Sequence, residues 1–212
     1  MRHGEVHNPD RVLYGRLPNF ALSAGGRTMA AAAAAHVEAL GRPVSALYAS
    51  PLQRTRESAE PFTAAFGLEP VIDERVIEPT NVFEGKRMRR AVLNPANWKH
   101  LTDPAIPSWG EPYLEVVERM DAAMKDAWSA APSGDVVIVS HQLPIWITHL
   151  AVAGEPLKHD PRKRRCALRL GLFFTVASVF WVGVTAVLAS WSTPVWALLI
   201  TGLINLLGAL LI

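Results

Sequence analysis

No charged residue and no histidine occurs from Leu170 to Ile212, 43 of the chain's 212 residues. A polar domain of the remaining size could not cover two helices that are apolar all round, so this run is expected in a bilayer. Cysteine is scarce as well. The single Cys166 excludes an intramolecular disulfide, suits a reducing compartment, and leaves no Cys/His spacing that would suggest a metal site. Neither sign of charge is in excess: 21 Lys and Arg stand against 19 Asp and Glu, a net charge of +2. That balance implies no nucleic-acid partner. Residues 1–20 are polar and charged, so no signal peptide is expected there.

The charged residues, all before position 170, sit among alternating helix and strand patterns. An alanine-rich stretch at residues 28–40 predicts a helix, stopped by Gly41 and Pro43. Residues 44–49 read as a short strand. Ser50-Pro51 is expected to open a second helix reaching about Phe66, with Pro51 at its first position and Pro61 a possible kink. Residues 70–76 read as extended, 78–85 as loop and 86–93 as a short basic helix. The proline-rich segment 94–112 has the look of a lid. Tyr113, Val117, Met120, Met124 and Trp128 recur at helical spacing and predict one apolar face. Residues 136–139 form an apolar run suited to a buried parallel strand, followed by a helix over 143–152. Strands alternating with helices predict a three-layer α/β fold with a mostly parallel sheet.

Four places carry residues suited to a phosphoryl group. Arg2-His3-Gly4-Glu5 offers an imidazole able to attack phosphorus and a guanidinium able to hold two of its oxygens. Gly4 permits a close backbone approach that a side chain would obstruct. Arg54, in Ser50-Pro51-Leu52-Gln53-Arg54-Thr55, falls in the first turn of a helix after a strand, where the helix terminus also favours an anion. Glu78 and Glu84 lie in one loop. Ser140-His141-Gln142 stands where a buried strand gives way to a helix, the sheet edge at which α/β enzymes bind ligands.

In order and spacing this set resembles the histidine phosphatase superfamily, the phosphoglycerate-mutase-like proteins, over roughly residues 2–168. The resemblance implies that His3 becomes phosphohistidine and that Arg2, Arg54 and His141 form the phosphate pocket. It implies Glu78 as the acid that protonates the leaving oxygen, with Glu84 as runner-up, and Asn8 as a further phosphate contact. Glu84 and Gln142 are carried as substrate-binding candidates. The positive pocket should keep His3 neutral, and nearby phosphate should raise the acid's pKa. The expected activity is metal-independent hydrolysis of a small phosphorylated substrate, without cofactor. A mutase and an inactive membrane-tethered binding domain are the alternatives. Family members run a hydrophobic strand into Arg-His-Gly, whereas only Met1 precedes Arg2 here, so residues 1–168 are expected to lack their first strand.

Residues 170–191 and 195–212, separated by Ser192-Thr193-Pro194, would form a transmembrane helical hairpin within a second domain, 169–212. As a helix, the first span would reach about 33 Å, enough for the hydrocarbon core. The basic run Arg162-Lys163-Arg164-Arg165, with Arg169, predicts a cell-membrane protein whose catalytic domain faces the cytoplasm.

Overall fold

The computed structural model describes residues 1–102, 107–131, 133–159 and 164. At its centre β1 (Val44–Ala49) runs parallel to β2 (Val71–Ile72) on one side and to β3 (Asp135–Val139) on the other. Tyr48 pairs with Val71 and with Ile138, and Ala49 with Ile72 and Val139, so β1 and β3 end level. Side chains alternate across a strand, and the two faces of the sheet bury different partners. Val137 and Val139 face α1 (Ala24–Ala39) and α2 (Gln53–Phe66) through Ala34, Val37, Ala59 and Phe62. Ile138 points the other way, toward α4 (Tyr113–Ala130) and α5 (Gln142–Val152) through Val116, Met120, Ile147 and Leu150. The result is the expected three-layer arrangement, with α3 (Met88–Leu93) and two 3₁₀ turns in the connections.

Several boundaries differ from the sequence reading for identifiable reasons. α1 begins four residues early because Ser23 accepts a hydrogen bond from Gly26 N–H and caps it. Pro51 precedes α2 instead of opening it, since Leu52 is the N-cap, while Pro61 sits inside the helix. Gly67, at φ 66°, ends α2 in the left-handed conformation glycine tolerates. The expected extended segment shortens to two strand residues before a 3₁₀ turn at Glu74–Val76 capped by Asp73. The buried face of α4 is Tyr113, Val116, Met120, Ala123 and Ala127, and Trp128 is 66% exposed. Small alanines face the sheet side because they allow close helix packing, which a pattern weighted toward large apolar residues overlooks.

Arg2 forms a parallel bridge with Ser140, where a first strand was expected to be lacking. Ser140 N–H donates to Met1 O at 2.8 Å, His3 N–H donates to Ser140 O at 3.1 Å, and the Met1 amino group donates to Ile138 O. Val139 O accepts from Ser50 N–H, so Ser140 addresses the edge of β3 away from β1. These backbone bonds place His3 at the sheet edge. Among the described residues no helix is long and apolar enough to cross a membrane. The hairpin expected over 169–212 lies outside the described residues.

Candidate active site

The ends of β1 and β3 deliver two of the four groups. β1 runs through Ser50 into α2, whose first turn carries Arg54, and β3 runs through Ser140 and His141 into α5. His3 arrives from the Arg2–Ser140 bridge. All three side chains are buried: His3 is 2% exposed, Arg54 1% and His141 0%. A buried guanidinium needs partners, and Arg54 has three polar acceptors. Its Nε–H donates to His3 Nε2 at 3.3 Å, while Nη2 donates to Gly15 O at 2.7 Å and to His141 Nδ1 at 3.2 Å. Its charge also lies 4.8 Å from the centre of the Tyr14 ring.

These bonds fix the state of His3. The Nδ1–H donates to the carbonyl of Gly4 at 2.7 Å, leaving the Nε2 lone pair toward Arg54. A lone pair held this way is the form of imidazole that attacks phosphorus. Burial first, then the charge of Arg54, pushes the His3 pKa down to about 3, and Arg2 adds to the effect. The sequence reading assigned this shift to positive potential; burial is the larger cause. The His141 pKa is also well below the usual value, chiefly through burial and then Arg54. His141 Nε2 lies 2.8 Å from Ser50 Oγ, which accepts its proton when Arg54 donates to Nδ1.

Glu78 approaches from the loop after the Glu74–Val76 turn, its Oε2 3.7 Å from His141 Nδ1, with its side chain 22% exposed. Burial raises its pKa to about 7 against the opposing charge of Arg54. The expected neighbouring phosphate is not needed for this shift, because desolvation suffices. Glu84, the alternative acid, is used elsewhere. Its Oε1 accepts from Arg16 N–H at 3.0 Å, and its carboxylate lies against Gly15, at φ 39°, where a Cβ would overlap it. Glu84 thus braces the loop whose Gly15 carbonyl receives Arg54. Asn8 closes its own turn, donating to Val12 O at 2.8 Å and accepting from Val12 N–H at 3.2 Å. Gln142 is the first residue of α5 and half-buried. Arg2 bears on His3, Glu78 and His141 through its charge.

Gly4 serves a different close approach from the expected one. A Cβ there would strike the Gly26 carbonyl in the first turn of α1, and a Cβ on Gly26 would strike the backbone of Glu5. The two backbones cross where neither tolerates a side chain. Ser58 Oγ accepts from Gly4 N–H at 3.0 Å and donates to Arg54 O at 2.7 Å, tying the motif to α2. Tyr14, Gly15, Ser50 and Ser58 were not singled out from sequence. Ser50 was at least within a recognised motif, whereas Tyr14 and Gly15 lie in a loop without periodicity.

A cleft with about 340 Å³ of open space borders Glu78, walled by residues 79–81, Pro107, residues 109–111, Leu13, Gly15, Tyr113 and Leu143. Glu78 thus belongs both to this cleft and to the neighbourhood of His141.

The profile described as "Histidine phosphatase superfamily (branch 1)" matches residues 1–168, and that of the "Rv2743c family" matches residues 146–212. The "Uncharacterized protein Rv0525" of Mycobacterium tuberculosis is 48% identical over 172 residues, covering 79% of this chain and 84% of its own. The protein named "Probable phosphoglycerate mutase GpmB" of Escherichia fergusonii is 28% identical, covering 77% of this chain and 78% of its own. The solved structure of a mycobacterial glucosyl-3-phosphoglycerate phosphatase, Rv2419c, is 27% identical with a TM-score of 0.58, covering 74% of this chain and 79% of its own. With its first 168 residues matched, this chain belongs to the histidine phosphatase superfamily, branch 1.

Proposed function

We propose that this protein is a metal-independent phosphomonoester hydrolase working through a phosphohistidine on His3. The observation that carries the reading is the His3 ring, oriented by Gly4 O at one nitrogen and presented at the other to Arg54, with the protonatable Glu78 near His141. In the first step His3 Nε2 forms a bond to phosphorus as the ester P–O bond breaks, and Glu78 gives its proton to the departing oxygen. In the second, Glu78 takes a proton from water, whose oxygen attacks phosphorus and frees His3 and inorganic phosphate. Arg2 and Arg54 neutralise charge on the phosphoryl oxygens throughout, the role a metal ion would otherwise fill. The name of the 27% identical neighbour supports hydrolysis, whereas that of the 28% identical relative supports transfer to a second hydroxyl.

Incubating the full chain in detergent with p-nitrophenyl phosphate and EDTA tests this directly. Nitrophenol and inorganic phosphate should appear in equal amounts, with an acid-labile, base-stable phosphoenzyme trapped on quenching. Absence of turnover would favour the inactive binding domain, and phosphate passing to glycerate instead of water would favour the mutase.

We further propose that residues 169–212 hold the domain at the cytoplasmic face of the cell membrane. The support is the uncharged run from Leu170 and the basic cluster before it. Extraction with alkaline carbonate should leave the protein in the membrane pellet, and external protease should spare it in intact cells. Recovery in the soluble fraction would refute the anchor, and digestion without permeabilisation would refute the orientation.

A further inference from the structure

Ser50 links the two strand ends that meet at the site. Its N–H donates to Val139 O at 3.0 Å, and its carbonyl accepts from Thr55 Oγ1 at 2.8 Å, so its backbone is held on both sides. Its buried hydroxyl lies 2.8 Å from His141 Nε2. His141 is buried as deeply, and burial followed by the charge of Arg54 keeps the ring neutral. Arg119, Arg2 and His3 bear on the ring in the same sense. A neutral imidazole has one N–H and one lone pair, so its two nitrogens cannot both donate. Nδ1 faces groups of opposite demand. Arg54 Nη2, 3.2 Å away, can only donate and requires a lone pair there. Glu78 Oε2, 3.7 Å from the same nitrogen, would draw an N–H once ionised.

Resting on the hydrolase reading above, we infer that Ser50 is a positioning residue for the acid. Its hydroxyl accepts the Nε2 proton of His141 and so holds the Nδ1 lone pair toward Arg54 and Glu78. A lone pair facing a carboxyl favours its protonated form, whereas an N–H facing it favours the carboxylate. The lone pair thus acts on Glu78 in the same direction as burial, against the charges of Arg54, Arg164, Arg2 and Arg119. Without the hydroxyl, a buried Nε2–H would lose this acceptor. The ring would then gain by carrying its proton on Nδ1, where Glu78 accepts it as the carboxylate. Arg54 would face an N–H in place of a lone pair, and the acid would surrender its proton at lower pH.

Nitrogen-15 spectra of the full chain labelled at histidine read this tautomer without substrate, the His141 signals being those missing from His141→Gln. At neutral pH Nε2 of the unaltered protein should resonate as a protonated nitrogen and Nδ1 as a bare one. In Ser50→Ala the Nδ1 signal should move toward the protonated range. The same substitution should carry the alkaline fall of kcat/KM for an alkyl phosphate to lower pH. At neutral pH it should cut that rate about tenfold relative to the rate for p-nitrophenyl phosphate, the loss expected when the acid's pKa drops by about one. A protonated Nδ1 in the unaltered protein overturns the inference, and this reading holds even if Ser50→Ala does not fold. An alkaline fall left in place by Ser50→Ala, in a variant that still binds orthovanadate, overturns it as well. Inertness of the unaltered protein toward both esters overturns the hydrolase reading instead, and the resonances need no turnover, so the two failures are told apart.

Discussion

His3→Ala should reduce kcat/KM for p-nitrophenyl phosphate by about 10⁴-fold or more, the scale of loss when a covalent enzyme loses its nucleophile. The acid-labile phosphoenzyme should disappear with it. Arg54, Arg2 and His141 remain in the variant, so orthovanadate should still bind and protect the protein against heating. That combination separates loss of the attacking atom from loss of the pocket. Undiminished turnover would assign attack to another group, and loss of vanadate binding would mean that His3 holds the pocket together as well. The unaltered protein carries a pH signature of the same residue. Its folded-state pKa of about 3 lies below the ordinary 6.5, so neutral His3 contributes its full stabilisation above pH 6.5. That contribution is lost as pH falls toward 3, because the unfolded imidazole takes the proton first. The melting temperature should fall with acidification through this window, and less steeply in His3→Ala.

Glu78→Gln should slow cleavage of alkyl phosphates by about 10² to 10⁴-fold, the usual share of a general acid. Nitrophenyl esters should suffer far less in the phosphorylation step, since nitrophenolate leaves without a proton. Wild-type kcat/KM for an alkyl ester should decline tenfold per pH unit above about 7, where Glu78 loses the proton it must donate. The variant has no such proton to lose, so its residual rate should be flat there; the ratio of the two enzymes at each pH removes the ionisation of the substrate. Stability runs in the opposite sense from His3. The Glu78 pKa is raised from 4.5, so its contribution is full below pH 4.5 and lost as pH rises through 7. Above pH 7 the glutamine variant should melt higher than the wild type. If Glu84→Gln gave the leaving-group dependence and Glu78→Gln did not, the acid would be misassigned.

The family was legible in the sequence because its motifs depend on residue type and order. Arg54 and His141 each fall beside a strand end or helix start that local pattern identifies, and parallel strands gather such ends along one edge; His3 was found by its motif alone. The resemblance ranked Glu78 before Glu84, but local residue pattern does not separate them. Both lie in the same loop, and only the fold turns one toward His141 and the other under the Arg16 backbone. Asn8 illustrates the same limit, since an amide suited to a phosphate suits its own loop equally well. The buried face of α4 was missed by one position in several places, because alanines pack there and contribute little to an apolar pattern. The Arg2–Ser140 bridge escaped notice for another reason: one residue has no periodicity, and its pairing is decided by β3, more than a hundred positions away.

At the crossing of Gly4 and Gly26 the obstacle on each side is main chain, which cannot be trimmed by substitution elsewhere. A clash with a leucine can be relieved by a smaller neighbour; a clash with a carbonyl has no such second-site remedy. A side chain at either position would therefore have to move the first turn of α1 or the backbone at Gly4 and Glu5. A glycine without any chemistry of its own thus decides how closely the histidine's segment can approach the helix.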